Sequence, residues 1–138
     1  MIPHQATAVA IGGRALLIEG PPGSGKSSLA LALIDRGARL IGDDGVMLEV
    51  SKGQLLAYPH PNTRGLLEVR NLGLLRYETC ESASVALVLR LDREAPRHVE
   101  ATELAKRAGI DLPMLRLWPD SPVLALRAEL ALQHFGLA

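Results

Sequence analysis

The chain has 138 residues, with 15 Lys plus Arg against 15 Asp plus Glu and one cysteine, a length that suits one domain with a real core and no second substrate or regulatory lobe. The even charge balance argues against a polyanion-binding surface, so nucleic acid and membrane surfaces are poor partners. Cys80 alone excludes an intramolecular disulfide and a multi-cysteine zinc site, and with no basic-then-apolar leader and no apolar run near about 18 residues the expected location is the cytoplasm.

Thr7 through Ile11 and Ala15 through Ile18 read as two strands joined by Gly12-Gly13, a dipeptide suited to a tight hairpin. Gly20-Pro21-Pro22-Gly23-Ser24-Gly25-Lys26-Ser27 follows at once and fits the pattern G-x-x-x-x-G-K-[ST]. Ser28 through Arg36 then reads as a helix whose Leu29 and Leu33 make an apolar face, with Gly37 placed to end it in a left-handed conformation. Arg39 through Gly42 is a short strand running into Asp43-Asp44, and this helix and strand complete one βαβ unit. Val46 through Val50 and Gln54 through Tyr58 form a second hairpin around Ser51-Lys52-Gly53. Gly65 through Arg70 and Leu74 through Tyr77 are strand-like, and Ser84 through Leu91 is the most hydrophobic strand candidate.

From Asp92 the character changes. Ala101 through Ala108 suggests a short helix stopped by Gly109, and Pro113, Pro119 and Pro122 punctuate an extended connector. Ser121 as N-cap and Pro122 in the first helical position open a last helix through Phe135, with Gly136 just beyond. The expected fold is a single α/β domain over residues 1–138, a P-loop nucleotide-binding core with a mixed β-sheet and flanking helices.

The glycine-rich pattern carries chemistry because it stands between a strand and a helix N-terminus. There the unpaired amides of the first turn and the helix dipole favour an anion, and glycines leave room for a polyphosphate. The expected nucleotide-binding positions are Gly20, Pro21, Pro22, Gly23, Ser24, Gly25, Lys26, Ser27 and Ser28, with Lys26 on the β- and γ-phosphates and Ser27 on magnesium. Asp43 and Asp44 end a strand, where carboxylates face a ligand crevice; one would support magnesium and the other take a proton, unless Asp43-Asp44-Gly45 is only a solvated turn. Glu68 and Arg70 alternate with Leu67 and Val69, so both leave one face of a strand. They read either as a metal ligand and a clamp on developing phosphoryl charge or as a cross-strand ion pair on a wet face.

Arg36-Gly37-Ala38-Arg39-Leu40-Ile41 before Asp43-Asp44, and Leu66-Leu67-Glu68-Val69-Arg70-Asn71-Leu72-Gly73, together with the loop, resemble HPr kinase/phosphorylase from about His4 to Leu91. The likeness is greatest to the short, single-domain members of alphaproteobacteria, without the family's N-terminal domain. The resemblance implies an ATP- and Mg2+-dependent protein-serine kinase acting on an HPr-type phosphocarrier of the phosphotransferase system, hence a part in regulating carbohydrate metabolism, and a homo-oligomer, hexameric in the family. It implies Lys26 as phosphate-binding lysine, Ser27 and Glu68 as magnesium ligands, Asp44 as the base with Asp43 in support, Arg70 within the same signature, and His4 near the histidine that precedes the first strand. Asn71 stands where the family has glycine. Arg90, Arg93 and Arg97 give no assignable match to the arginine used for dephosphorylation, so the kinase direction is the better supported. A small-metabolite P-loop kinase and a non-catalytic nucleotide-binding regulatory module are the alternatives. His60, His98 and His134 read as surface residues, and Trp118 as a packing anchor.

Overall fold

A nine-stranded mixed sheet organises the computed structural model, which describes all 138 residues. Strands β1 (Ile2–His4), β2 (Thr7–Ile11) and β3 (Arg14–Glu19) open the chain, and helix α1 (Lys26–Asp35) leads to β4 (Arg39–Gly42). Hairpin β5–β6 (Val46–Ser51, Gln54–Pro59), hairpin β7–β8 (Leu66–Val69, Gly73–Arg76) and the long β9 (Ala83–Leu91) follow. The chain closes with β10 (Glu103–Arg107), β11 (Ile110–Leu117) and helix α2 (Leu124–Phe135). In space the order is β1-β5-β6-β9-β3-β2-β4, while β11 lies beside the second half of β9 and carries β10 outside it; β7 and β8 form a separate small sheet.

Strands β3, β9 and β11 are parallel neighbours, and β4 runs the same way because β2 is antiparallel to both β3 and β4. The expected βαβ crossover from β3 through α1 to β4 is therefore present but split, with β2 lying between its two strands. Its consequence is functional: the C-terminal ends of β3 and β4, one leading into the glycine-rich loop and the other into Asp43-Asp44, open on the same edge of the sheet.

Alternation along β3 shows how the sheet is covered. Leu16 and Ile18 enter a core with Leu29 and Leu33 of α1 and Ala128 and Leu132 of α2, while Ala15 and Leu17 enter a second core with Leu48, Leu55, Leu112 and Met114. Helices cover one face and the β5–β6 and β10–β11 hairpins the other, which is why the strand reads as a continuous apolar run. Leu67 of β7 is fully buried in the helix-side core, so the small sheet is anchored onto α1.

Helix α1 ends as its sequence predicts. Gly37 has φ 109, and the N–H groups of Gly37 and Ala38 donate to the carbonyls of Ile34 and Leu33, each at 3.0 Å, satisfying carbonyls that the helix end leaves free.

The segment after Asp92 departs from expectation. Ala101 through Ala108 is not a helix: Glu103–Arg107 pairs antiparallel with β11 through a two-residue turn at Ala108 and Gly109, whose φ angles are 50 and 83. Helix-favouring composition is overridden because so short a helix is marginal alone, whereas the strand buries Ala105 against the second core. Pro113 is accordingly inside β11, opposite Leu104 and just before the residues that pair with β9. At α2 the expected start shifts by two residues, from Pro122 to Leu124, and Ser121 caps a preceding turn by accepting the Val123 N–H on its hydroxyl at 3.2 Å.

Candidate active site

The loop from Gly20 to Gly25 delivers α1 with no side chain capping it; Gly25 takes the cap position with φ 103. The first amides of the helix are thus left without side-chain partners, which makes this end receptive to an anion. Lys26 turns back over the loop, its Nζ donating to the carbonyls of Gly20 at 2.9 Å and Pro21 at 3.2 Å. Pro22, Gly23, Gly25, Lys26, Ser27 and Ser28 wall one side of a cavity of about 220 Å³, and Thr7, Asp43, Asp44, Glu68 and Arg70 wall the rest. None of these side chains is a large apolar one.

Asp43 is the centre of this cavity. Only 8% exposed, it accepts the Ser27 hydroxyl at 2.6 Å and the Thr7 hydroxyl at 3.0 Å on one oxygen and the Glu68 backbone N–H at 3.0 Å on the other. No Lys, Arg or His forms an ion pair with it. Three neutral donors orient the carboxylate while leaving its charge uncompensated, an arrangement that attracts a cation.

Asp44 differs in every respect. It is exposed, adopts φ 59, and its carboxylate meets only the Gln5 amide, at a marginal 3.4 Å. The turn that carries the two aspartates is tight, since a Cβ on Gly42 would lie 2.4 Å from the Gly45 carbonyl oxygen. Thr7 ties them together, donating to Asp43 while its oxygen lies 3.4 Å from the Asp44 N–H. In the sequence Thr7 stands out only as the first residue of a strand; a polar residue opening an otherwise apolar buried strand is the signal that marks it.

Glu68 and Arg70 both reach the cavity, and no ion pair forms between them or with any neighbour, so the wet-face ion pair is not what this strand builds. Asn71 keeps the left-handed backbone with φ 72, in a turn closed by the Leu72 N–H on the Val69 carbonyl at 3.0 Å. Asparagine is the side chain that best substitutes for glycine there, so the turn after Arg70 survives the exchange. Arg90, Arg93 and Arg97 do not line this cavity.

His4 lies outside it. Its Nε2 is 2.8 Å from Glu19 Oε2, at the last residue of β3, and Arg107 of β10 donates to the same carboxylate through Nε at 3.0 Å and Nη2 at 2.7 Å. Burial alone would raise the Glu19 carboxyl, but the hydrogen bonds from His4 and Arg107 and the Arg107 charge prevail and hold it at about 2, against an ordinary 4.5. His4 therefore serves a clamp between β1, β3 and β10 rather than the loop, and neither Glu19 nor Arg107 stood out in the sequence.

The fold and site define a mixed α/β domain in which a glycine-rich strand-to-helix loop faces a cavity of oxygen donors. Residues 2–96 match the family described as HPr Serine kinase C-terminal domain, and the chain belongs to that family. It is 45% identical over 71 residues to an HPr kinase/phosphorylase of Clostridium beijerinckii, covering 51% of this chain and 24% of that protein. It is 43% identical over 72 residues to one of Shouchella clausii, covering 51% and 23%. The chain thus matches about a quarter of the length of these relatives. The fold is shared with the HPr(Ser) kinase/phosphatase from Coxiella burnetii, with a TM-score of 0.85 at 23% identity over 96% of this chain and 95% of that one.

Proposed function

We propose that this domain is an ATP-dependent protein-serine kinase whose acceptor is an HPr-type phosphocarrier protein. The observation that carries the reading is the pairing of a buried, uncompensated Asp43 on the Ser27 hydroxyl with a free Asp44 beside it, both facing the loop of Lys26. Backbone amides from Gly23 to Ser28 would cradle the phosphates and Lys26 would leave its loop carbonyls to bind the γ-phosphate.

Magnesium fits the donor set. Ser27, Asp43 and Glu68 offer oxygen only, and no cluster of three or more His, Cys, Asp or Glu side chains is built for a softer or fully caged ion. Such a site suits an ion held by one or two carboxylates together with substrate phosphates, where it neutralises charge developing on the transferred group.

Asp44 takes the proton of the acceptor serine hydroxyl. The serine oxygen then forms its bond to the γ-phosphorus as the bond to the β-phosphate oxygen breaks, and ADP leaves with that electron pair. Arg70, on the wall opposite the loop, stabilises charge on the transferring oxygens. Nothing after Asp92 lines the cavity that holds Asp44; an acceptor pocket built from that segment does not open on the proposed base, which favours a large acceptor docking from outside. No helix is long and apolar enough to cross a membrane, and the reading places the reaction in the cytoplasm, where both substrates would meet.

The test is incubation of the protein with γ-labelled ATP, magnesium and an HPr-type protein. Label on a serine of the acceptor is expected. Label-free acceptor alongside phosphorylation of a small metabolite would transfer the reading to a metabolite kinase, and nucleotide binding without turnover would leave a regulatory module.

A further inference from the structure

A cleft of about 350 Å³ opens between the segment that follows β9, the end of β11 and helix α2. Arg97, Arg116 and Arg127 wall it together with Val99, Leu117 and Trp118, and no carboxylate is among its lining residues. It shares no residue with the acidic cavity. We propose that this cleft is a binding site for a small organic dianion with an apolar body, separate from the phosphate loop. Its occupant is not the phosphoryl acceptor, because the cleft does not open on Asp44.

Charge and wall chemistry together define the ligand. The whole chain balances 15 Lys plus Arg against 15 Asp plus Glu, so three guanidinium groups around one cleft without a carboxylate are a local surplus. Arg116 is already matched, by Asp92 at 3.0 Å and Glu103 at 2.8 Å. Arg97 and Arg127 form no ion pair, and Glu100 lines the adjoining cleft rather than this one. Two unmatched positive charges make a dianion their complement. Trp118 supplies the apolar wall. Its Nε1–H donates to the Ala95 carbonyl at 2.7 Å, which fixes the ring, and the Arg127 guanidinium carbon lies over it at 5.8 Å from the centroid. The residue is still 38% exposed, so an apolar body seated beside Val99 and Leu117 gains by displacing water from the indole. A bare inorganic anion would leave that wall wet, and an uncharged body would leave both guanidinium groups unmatched. The volume falls within the range of about 300–1,000 Å³ usual for small-molecule sites.

Trp118 is the only tryptophan of the chain, so its fluorescence reports on this cleft directly. Phenyl phosphate and phenylsuccinate are titrated into the full chain, with inorganic phosphate as the anion without a body and benzyl alcohol as the body without charge. Expected is a saturable change with at least one of the two organic dianions at a Kd below about 1 mM, and both controls weaker by about tenfold or more; which dianion saturates tells phosphate from carboxylate. Arg97→Gln and Arg127→Gln, at exposed positions where no core packing is lost, should each weaken the bound probe about fivefold or more. Saturating ATP with magnesium should leave the probe affinity within about twofold. No saturable change with either dianion would overturn the site, as would an affinity that neither substitution lowers or a control that binds as tightly as the dianions. Competition by ATP would also overturn it, by placing the probe in the nucleotide site. The probe titrations contain no nucleotide, so a failure of the kinase reading and a failure of this site are read separately.

Discussion

Two strand ends on the same edge of the sheet each carry a nearly buried carboxylate, and the partners of the two could hardly differ more. Glu19, ending β3, is held between Arg107 at 2.7 Å and His4 at 2.8 Å, whereas Asp43, just past β4, accepts two hydroxyls and one backbone N–H. The charge of Glu19 is neutralised within the protein, and the group is a clamp that joins three strands. The charge of Asp43 is oriented but not neutralised, and in the proposed function a cation brought by a ligand would complete it. Burial alone does not distinguish a functional carboxylate from a structural one; the charge of its partners does.

The comparison breaks most visibly at Asp43. Asp43→Asn keeps the shape and the two hydroxyl contacts on one oxygen but removes the charge and turns an amide NH2 toward the Glu68 N–H; phosphoryl transfer is expected to fall about a hundredfold or more, with magnesium-dependent nucleotide binding lost and about 1–3 kcal/mol of stability lost with the unpaired donor. Retained magnesium dependence in a nucleotide titration would make Asp43 a structural group like Glu19.

Glu19→Gln should show the reverse. Removing the charge leaves a partly buried Arg107 without its partner, at a cost of about 2–4 kcal/mol in urea unfolding, while nucleotide binding by the folded fraction persists. The pH dependence sharpens this. Because the folded-state carboxyl is lowered to about 2 from an ordinary 4.5, its contribution is full above the unfolded value and is lost as pH falls from about 4.5 toward 2. The parent should lose stability steeply across that window, and Glu19→Gln should follow a shallower slope; equal slopes would mean that the clamp is not charged.

A smaller effect is expected from Glu68→Gln. It should shift the magnesium midpoint of transfer upward, with partial rescue by excess magnesium, since a hard-cation site loses one of few charged oxygens; superimposable midpoints would remove Glu68 from the metal. Smallest is Thr7→Val, which deletes one hydrogen bond to Asp43 and should cost about 1 kcal/mol in stability and a few-fold in magnesium affinity. No change in the metal requirement would reduce Thr7 to a packing residue.

From Thr7 to Leu91 the elements were legible because their signals are local, whereas β1, a three-residue strand held by β5, was not. The hairpin at Gly12-Gly13, the left-handed end at Gly37 and the apolar alternation around Leu67 all appear where periodicity and turn chemistry put them. The acidic cavity could be read from motifs, since the loop, Asp43-Asp44 and Glu68 with Arg70 are each contiguous in sequence. What escaped depends on long-range pairing. β10 has helix-favouring composition and is made a strand by β11, and its Ala108-Gly109 turn lacks the usual asparagine or aspartate. Arg107 meets Glu19 across 88 positions of sequence, and Thr7 meets Asp43 across 36, so no window of sequence contains either pair.

The most direct test of the kinase account is Asp44→Asn in a single-turnover transfer from γ-labelled ATP to the HPr-type acceptor, with nucleotide binding measured on the same protein. An exposed carboxylate free of strong partners, beside a neighbour bound to the loop serine, is predicted to be the proton acceptor. The variant should bind magnesium and ATP as the parent does and transfer phosphate at least about a hundredfold more slowly. Transfer at near-parental rate would contradict Asp44 as the base and, with it, the division of labour between the two aspartates.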